Sequence, residues 1–122
     1  MTKPILQILR SNMVLYCRNF PECVEFYAGK LGLPVSFEND WFVEFHLTTD
    51  SFLSIANSTR TSISDAGGQG ITLTLEVPDI ETARRRLGQL GIDCTPIRGK
   101  WGARLFYFYD PEGHRIECWE SD

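Results

Sequence analysis

The sequence contains no apolar run near the roughly 20 residues a bilayer-spanning helix needs, no C-x-x-C pair, and only two histidines in 122 residues. The first absence argues against a membrane partner. The opening "MTKPILQILRSN" carries one Lys and one Arg, without a long apolar segment or a small-residue cleavage pattern, so a cytoplasmic location is the expectation. The four cysteines, Cys17, Cys23, Cys94 and Cys118, are too scattered for a zinc knuckle or a dense disulfide scaffold and read as reduced, mostly buried thiols. Basic residues are also scarce. Sixteen acidic against twelve basic side chains give a formal charge of -4, which repels a phosphate backbone. The one basic run, Arg84 to Arg86, lacks interleaved aromatics and reads as a solvated helix face, so no nucleic-acid partner is expected.

What remains is a chain with 43% hydrophobic and 23% charged residues, the balance of one soluble globular domain spanning residues 1–122. It repeats itself. "NMVLYCRNFPECVEFYAGKLGL" and "TLTLEVPDIETARRRLGQLGI" both run from an apolar-alternating strand through a polar residue into a helical pattern. With Asn19 laid on Asp79, Asn12 falls on Thr72, and Leu31-Gly32-Leu33 meets Leu90-Gly91-Ile92 after a one-residue deletion within the helix. Asn19 and Asp79 are placed to cap the helices, with Glu22 and Glu81 near their positive ends. Ile80, Ala83, Leu87 and Leu90 form one apolar stripe, as do Cys23, Phe26 or Tyr27, and Leu31; Gly32 and Gly91 then stop the helices.

Three short strands follow each helix: "PVSFE", "DWFVEFHL" and "SFLSIAN" in the first half, then "CTPIR", "ARLFYFYD" and "HRIECWE" in the second. Turns are expected at Thr48-Thr49-Asp50 and Pro111-Glu112-Gly113. The predicted class is α+β, with two tandem β-α-β-β-β modules at about 5–57 and 71–120 and a polar linker at 58–70.

This doubled unit, with "FYAGKLGL" closing the first helix and "YDPEGHRIECWE" ending the chain, resembles the vicinal oxygen chelate superfamily of glyoxalases, extradiol dioxygenases and fosfomycin- and bleomycin-resistance proteins. The resemblance implies a curved, cup-like mixed sheet with helices on its convex face, a small-molecule ligand in the cup, and a homodimer. Metalloenzymes of the family take ligands from the first and last strand of each module. Those positions fall here on Asn12, Ser54, Thr72 and Glu117, of which only Glu117 is a usual metal ligand. The expectation is therefore no metal cofactor, with a divalent metal as the alternative.

Strand parity limits the other candidates. With Glu117 facing inward, Arg115 and Trp119 face inward too, and His114 faces outward, exposed beside the turn. A three-residue turn at 48–50 pairs Phe52 with His46 and brings Phe42, Glu44 and His46 to the face of Ser54; a longer turn would bring Trp41, Val43 and Phe45 instead. Glu44 and His46 are, with Glu117, the catalytic candidates. The strand faces turned from the helices add Tyr16 and Thr74 to the ligand-binding set, together with Asn12, Ser54, Thr72, Arg115, Glu117 and Trp119. "KWGARLFYFYDP" contributes Trp101 and Arg104; Trp101, Phe106 and Phe108 are expected on one side of the sheet and Tyr107 and Tyr109 on the other. "WGAR" is similar to the bleomycin-resistance and antibiotic-binding branch, where aromatic residues stack on the ligand.

Glu117 is open to three roles: an ion pair with Arg115 or Arg104, an anchor for a cationic or hydroxyl-bearing ligand, or a general base. The leading functional expectation is a metal-independent protein that binds or sequesters a partly aromatic small molecule. The alternatives are a metal-dependent glyoxalase-like lyase, or related isomerase or transferase, using Glu117, and a regulatory subunit with a filled cup.

Overall fold

Alternating apolar residues in Ser11–Cys17 and Ser51–Asn57 make two strands, β1 and β4, that pair in parallel, Asn12 beside Phe52 and Leu15 beside Ile55. In the computed structural model, which describes residues 4–121, the sequence between them supplies a helix and two further strands. β3 (Phe42–His46) lies antiparallel to β4, and β2 (Val35–Glu38) forms the exposed outer edge, giving the order β1-β4-β3-β2. Residues 65–121 repeat the plan. β5 (Thr72–Glu76) pairs in parallel with β8 (Arg115–Ser121), followed by β7 (Ala103–Tyr109) and β6 (Arg98–Lys100), in the order β5-β8-β7-β6. The chain is α+β, two tandem modules each with an open four-stranded mixed sheet and one helix, and its two compact units divide at residues 64 and 65.

In the first unit α1 (Phe20–Glu25) packs on β4 and continues into a π-helical turn, Phe26–Lys30, closed by the Leu31 N–H donating to the Phe26 carbonyl at 3.0 Å. This wider turn absorbs one extra residue. It accounts for the single-residue mismatch between the two halves of the sequence, and it lets Phe26 and Tyr27, neighbours in sequence, both be buried. Tyr27 meets Phe26 edge-on at 5.2 Å and Phe45 at 6.1 Å, over a core of Leu15, Cys17, Cys23, Leu53 and Ile55.

In the second unit α2 (Ile80–Gln89) packs on β7 and β8. Its Asp79 cap accepts from the Glu81 and Thr82 N–H groups at 3.1 and 3.2 Å. Asn19, expected to do the same for α1, makes no capping bond. Pro21 occupies the first turn there and has no N–H to offer. Gly32 and Gly91 do end the helical stretches, at φ of 68° and 80°. Leu90, expected on the apolar stripe, is exposed because the helix has stopped; Ile92 folds back, its N–H on the Leu87 carbonyl, and is buried instead.

One strand differs from expectation. The run 94–98 is irregular up to Arg98, where β6 begins, since Pro96 cannot donate to a ladder. Thr95 bridges the gap: its N–H donates to the Tyr107 carbonyl at 2.9 Å and its Oγ1 accepts the Tyr107 N–H at 2.8 Å. No helix among the described residues is long and apolar enough to cross a membrane.

Two outcomes test this frame. Phe106, fully buried under α2, should cost about 3–5 kcal/mol of unfolding free energy when replaced by Ala, read by urea denaturation. The Asp79 carboxyl is held below its ordinary value of 3.8, chiefly by the Thr82 N–H and hydroxyl. A depressed folded-state pKa stabilises above the unfolded value and loses that contribution as pH falls through the folded one. Asp79→Ala should therefore lower the melting temperature at neutral pH, with the gap to wild type closing below pH 3.8.

Candidate functional site

The β1–β4 and β3–β4 registers bring Asn12, Val14 and Tyr16 beside Phe52, Ser54 and Ala56, and these beside Phe42, Glu44 and His46. His46 pairs with Phe52, so the three-residue turn and its face assignment hold. On this helix-free face the polar residues satisfy one another. The buried Ser54 hydroxyl donates to Asn12 Oδ1 at 2.9 Å, Asn12 Nδ2 donates to Glu44 Oε2 at 3.2 Å, and the Ser36 hydroxyl donates to Glu44 Oε1 at 2.7 Å. His46 instead lies against the Phe52 ring at 4.7 Å, with the Arg10 guanidinium 5.5 Å from the same ring. Among the described residues Glu44 and His46 do not hydrogen-bond each other, so they form no acid/base pair. Further along the face Tyr16 borders a cavity of about 300 Å³, walled by Val14, Trp41, Phe42, Ala56 and the turn at 60–63. Arg60 was not anticipated there, and Trp41 was expected inward only with the longer turn; their placement depends on the strand end and on the 3-10 turn Ser58–Arg60.

In the second unit the registers place Thr72 beside Arg115, Thr74 beside Glu117 and Glu76 beside Trp119, with Tyr109, Tyr107 and Leu105 across from those β8 residues. Arg115 Nε donates to Thr72 Oγ1 at 2.9 Å, and its guanidinium lies 4.4 Å over the Tyr107 ring. Glu117 is half-buried between Arg115 and Trp119. Among the described residues its carboxylate makes no hydrogen bond and no ion pair.

Several expectations are corrected here. Arg104 alternates with Leu105 and so lies on the helix-facing side, away from Glu117. There it pairs with Glu81 at 2.8 Å and with Glu120, which together hold its guanidinium above its ordinary pKa. Among the described residues neither Arg104 nor Arg115 pairs with Glu117, which was one of the three roles open to it. Trp101 shares no strand face with Phe106 and Phe108; with Gly102 it makes the two-residue tip of the β6–β7 hairpin, at φ of 50° and 91% exposed. Phe106 and Phe108 do face opposite to Tyr107 and Tyr109. His114 is buried rather than exposed. The Asp-Pro-Glu-Gly turn folds Asp110 back so that its Oδ1 accepts the Glu112 and His114 N–H groups, both at 2.9 Å, and its Oδ2 meets His114 Nδ1 at 2.8 Å. Cys118, on the helix side of the same strand, has its thiol pushed up to about 11, mainly by burial.

A profile of the glyoxalase-like domain matches residues 10–121. The chain belongs to that family. This glyoxalase-like protein, within the vicinal oxygen chelate superfamily, is 26% identical over 119 residues to the uncharacterized protein YraH of Bacillus subtilis (strain 168), covering 87% of this chain and 93% of that one. A glyoxalase/bleomycin resistance protein/dioxygenase from Nocardioides superposes with a TM-score of 0.80 at 25% identity, over 98% of this chain and 86% of the other. TnmS3, an antibiotic binding protein from Streptomyces sp. CB03234, shares the fold at a TM-score of 0.79 and 15% identity, over 99% and 100% of the two chains.

The amide of Asn12 is the link between the Ser54 hydroxyl and Glu44 in this family member. Asn12→Ala leaves the fully buried hydroxyl without its acceptor and should cost about 1–3 kcal/mol. Asn12→Ala in a Ser54→Ala background should cost less, measured as a double-mutant cycle by chemical denaturation.

Proposed function

We propose that this glyoxalase-like protein binds a small, partly aromatic molecule on the helix-free face of its second module, without a divalent metal. The observation that carries this reading is Glu117, a half-buried carboxylate with no hydrogen-bond or ion-pair partner among the described residues, set among aromatic rings and threonine hydroxyls. A carboxylate withdrawn from water needs a compensating donor or cation. A ligand hydroxyl or ammonium group would supply one, and Tyr107, opposite Glu117 on β7, and Trp119, two residues along β8, offer ring surface. Each 100 Å² of apolar ligand surface buried there would contribute about 2.5 kcal/mol.

The donor chemistry argues against a metal as that compensation. A divalent ion needs several anionic or imidazole donors to offset its lost hydration. Of the family's four positions, Glu117 is the one charged residue; Asn12 and Ser54 bond to each other, and Thr72 accepts from Arg115, which brings a positive charge beside its own strand partner. These residues do not fit a tightly held divalent ion.

Thermal unfolding of metal-stripped protein against nickel, zinc, manganese, cobalt and iron(II), with Glu117→Ala alongside, tests the proposal. Specific binding at 100 times the dissociation constant adds about 2.7 kcal/mol to the folded state. No midpoint shift with any metal is expected, while a screen of aromatic amines and phenols should yield stabilisers that act on wild type and not on Glu117→Ala. A metal-specific rise lost in Glu117→Ala would overturn the metal-free reading in favour of glyoxalase-type chemistry.

A further inference from the structure

The geometry points to a carboxylate-binding subsite at Arg115, so that the small molecule taken by the second module is a carboxylic acid; this deepens the reading above and rests on it. The subsite is a cavity of about 480 Å³ bounded by Thr72, Tyr109, Arg115, Gly113 and the segment Gly68–Ile71. Arg115 is the one charged side chain on its walls. The charge on the cavity walls themselves is therefore of one sign, and that sign calls for an anion.

The guanidinium is also held in place before any ligand arrives. Nε is engaged by Thr72 Oγ1 and the plane is supported by the Tyr107 ring, so two of its three nitrogens remain. Among the described residues, neither of those terminal nitrogens has a hydrogen-bond or ion-pair partner. Their shared edge is the part of an arginine that receives both oxygens of a carboxylate in parallel hydrogen bonds. With its rotamer already fixed, Arg115 loses little freedom on binding.

The opposite wall is as firm. A side chain at Gly68, where φ is 80°, would place its Cβ 2.4 Å from the Gly113 carbonyl carbon and 2.7 Å from the His114 nitrogen, so the 67–70 turn and the Asp-Pro-Glu-Gly turn are in backbone contact. The buried Asp110–His114 bond fixes that second turn from behind. Glu117 stands two residues along β8, about 7 Å away, and is not among the cavity walls. A bound acid would thus meet Arg115 with its carboxylate and have Glu117 within reach of a donor group further along the molecule.

The test uses benzoate and its neutral isostere benzamide as probes, titrated at constant ionic strength into isotopically labelled protein and followed by amide chemical shifts. Benzoate is expected to give saturable shifts at 68–72, 109, 113 and 115. Benzamide should bind at least about tenfold more weakly, Arg115→Gln should abolish the preference, and Arg115→Lys, which keeps the charge but not the fork, should retain part of it. The wild-type comparison stands even where a variant fails to fold. Benzamide binding as well as benzoate would overturn the carboxylate assignment and leave the small-molecule reading intact. Inorganic phosphate binding about tenfold tighter than benzoate would overturn it in favour of a phosphorylated ligand. No shifts with any anion would overturn it outright, while the metal and Glu117 experiments above report on the broader reading separately.

Discussion

The in-register parallel pairing of the first and last strand of each module is the constraint on which the rest depends. Because successive side chains on a strand point to opposite faces, fixing Thr74 against Glu117, or Val14 against Ser54, fixes the side on which every other residue of those strands lies. The antiparallel neighbours inherit the same parity through Tyr107 and Glu44. A slip of one residue would send Ile116 and Cys118 toward the open face and Glu117 into the helix core. Burying a carboxylate among apolar side chains costs several kcal/mol, so the core and the site select the same register.

That parity produces two helix-free faces with different polar accounts. In the first unit Glu44 receives hydrogen bonds from Asn12 and Ser36, and Asn12 in turn receives one from Ser54, so the network is closed. A satisfied network of this kind stiffens a face and leaves little for a ligand to gain. In the second unit the threonines, Arg115 and Glu117 leave capacity unspent: among the described residues the carboxylate has no partner and the guanidinium's terminal nitrogens have none. The asymmetry arises although the two modules share one strand order, because Asn12 at the head of β1 is answered by Thr72 at the head of β5, whose shorter side chain carries one donor where the amide carries two.

Much of this was legible in the sequence. The repeat, the β-α-β-β-β succession of each half, and the shared face of Thr72, Thr74, Arg115, Glu117 and Trp119 follow from period-two alternation, and the pairing of His46 with Phe52 was one of the two registers that turn length left open. The elements that escaped have identifiable causes. The π turn at Phe26–Lys30 appears in sequence as one residue too many, which alignment treats as a gap. β6 starts late because Pro96 is tolerated beside a strand only when another group, here the Thr95 side chain, takes over the pairing. His114 looks exposed beside a turn, and is buried because the turn curls its own aspartate underneath it.

The sequence by itself determined the α+β modules, their order, and which residue types can reach the open faces, since those depend on local periodicity and on chain neighbours. Only the tertiary structure decided which polar groups find partners. Arg104 is drawn to Glu81 and Glu120, Arg115 to Thr72 and Tyr107, and Glu117 is left with none among the described residues. Those choices are made between strands and helices brought together by folding, where a shift of one hydrogen-bond length separates a satisfied charge from one that must wait for a ligand.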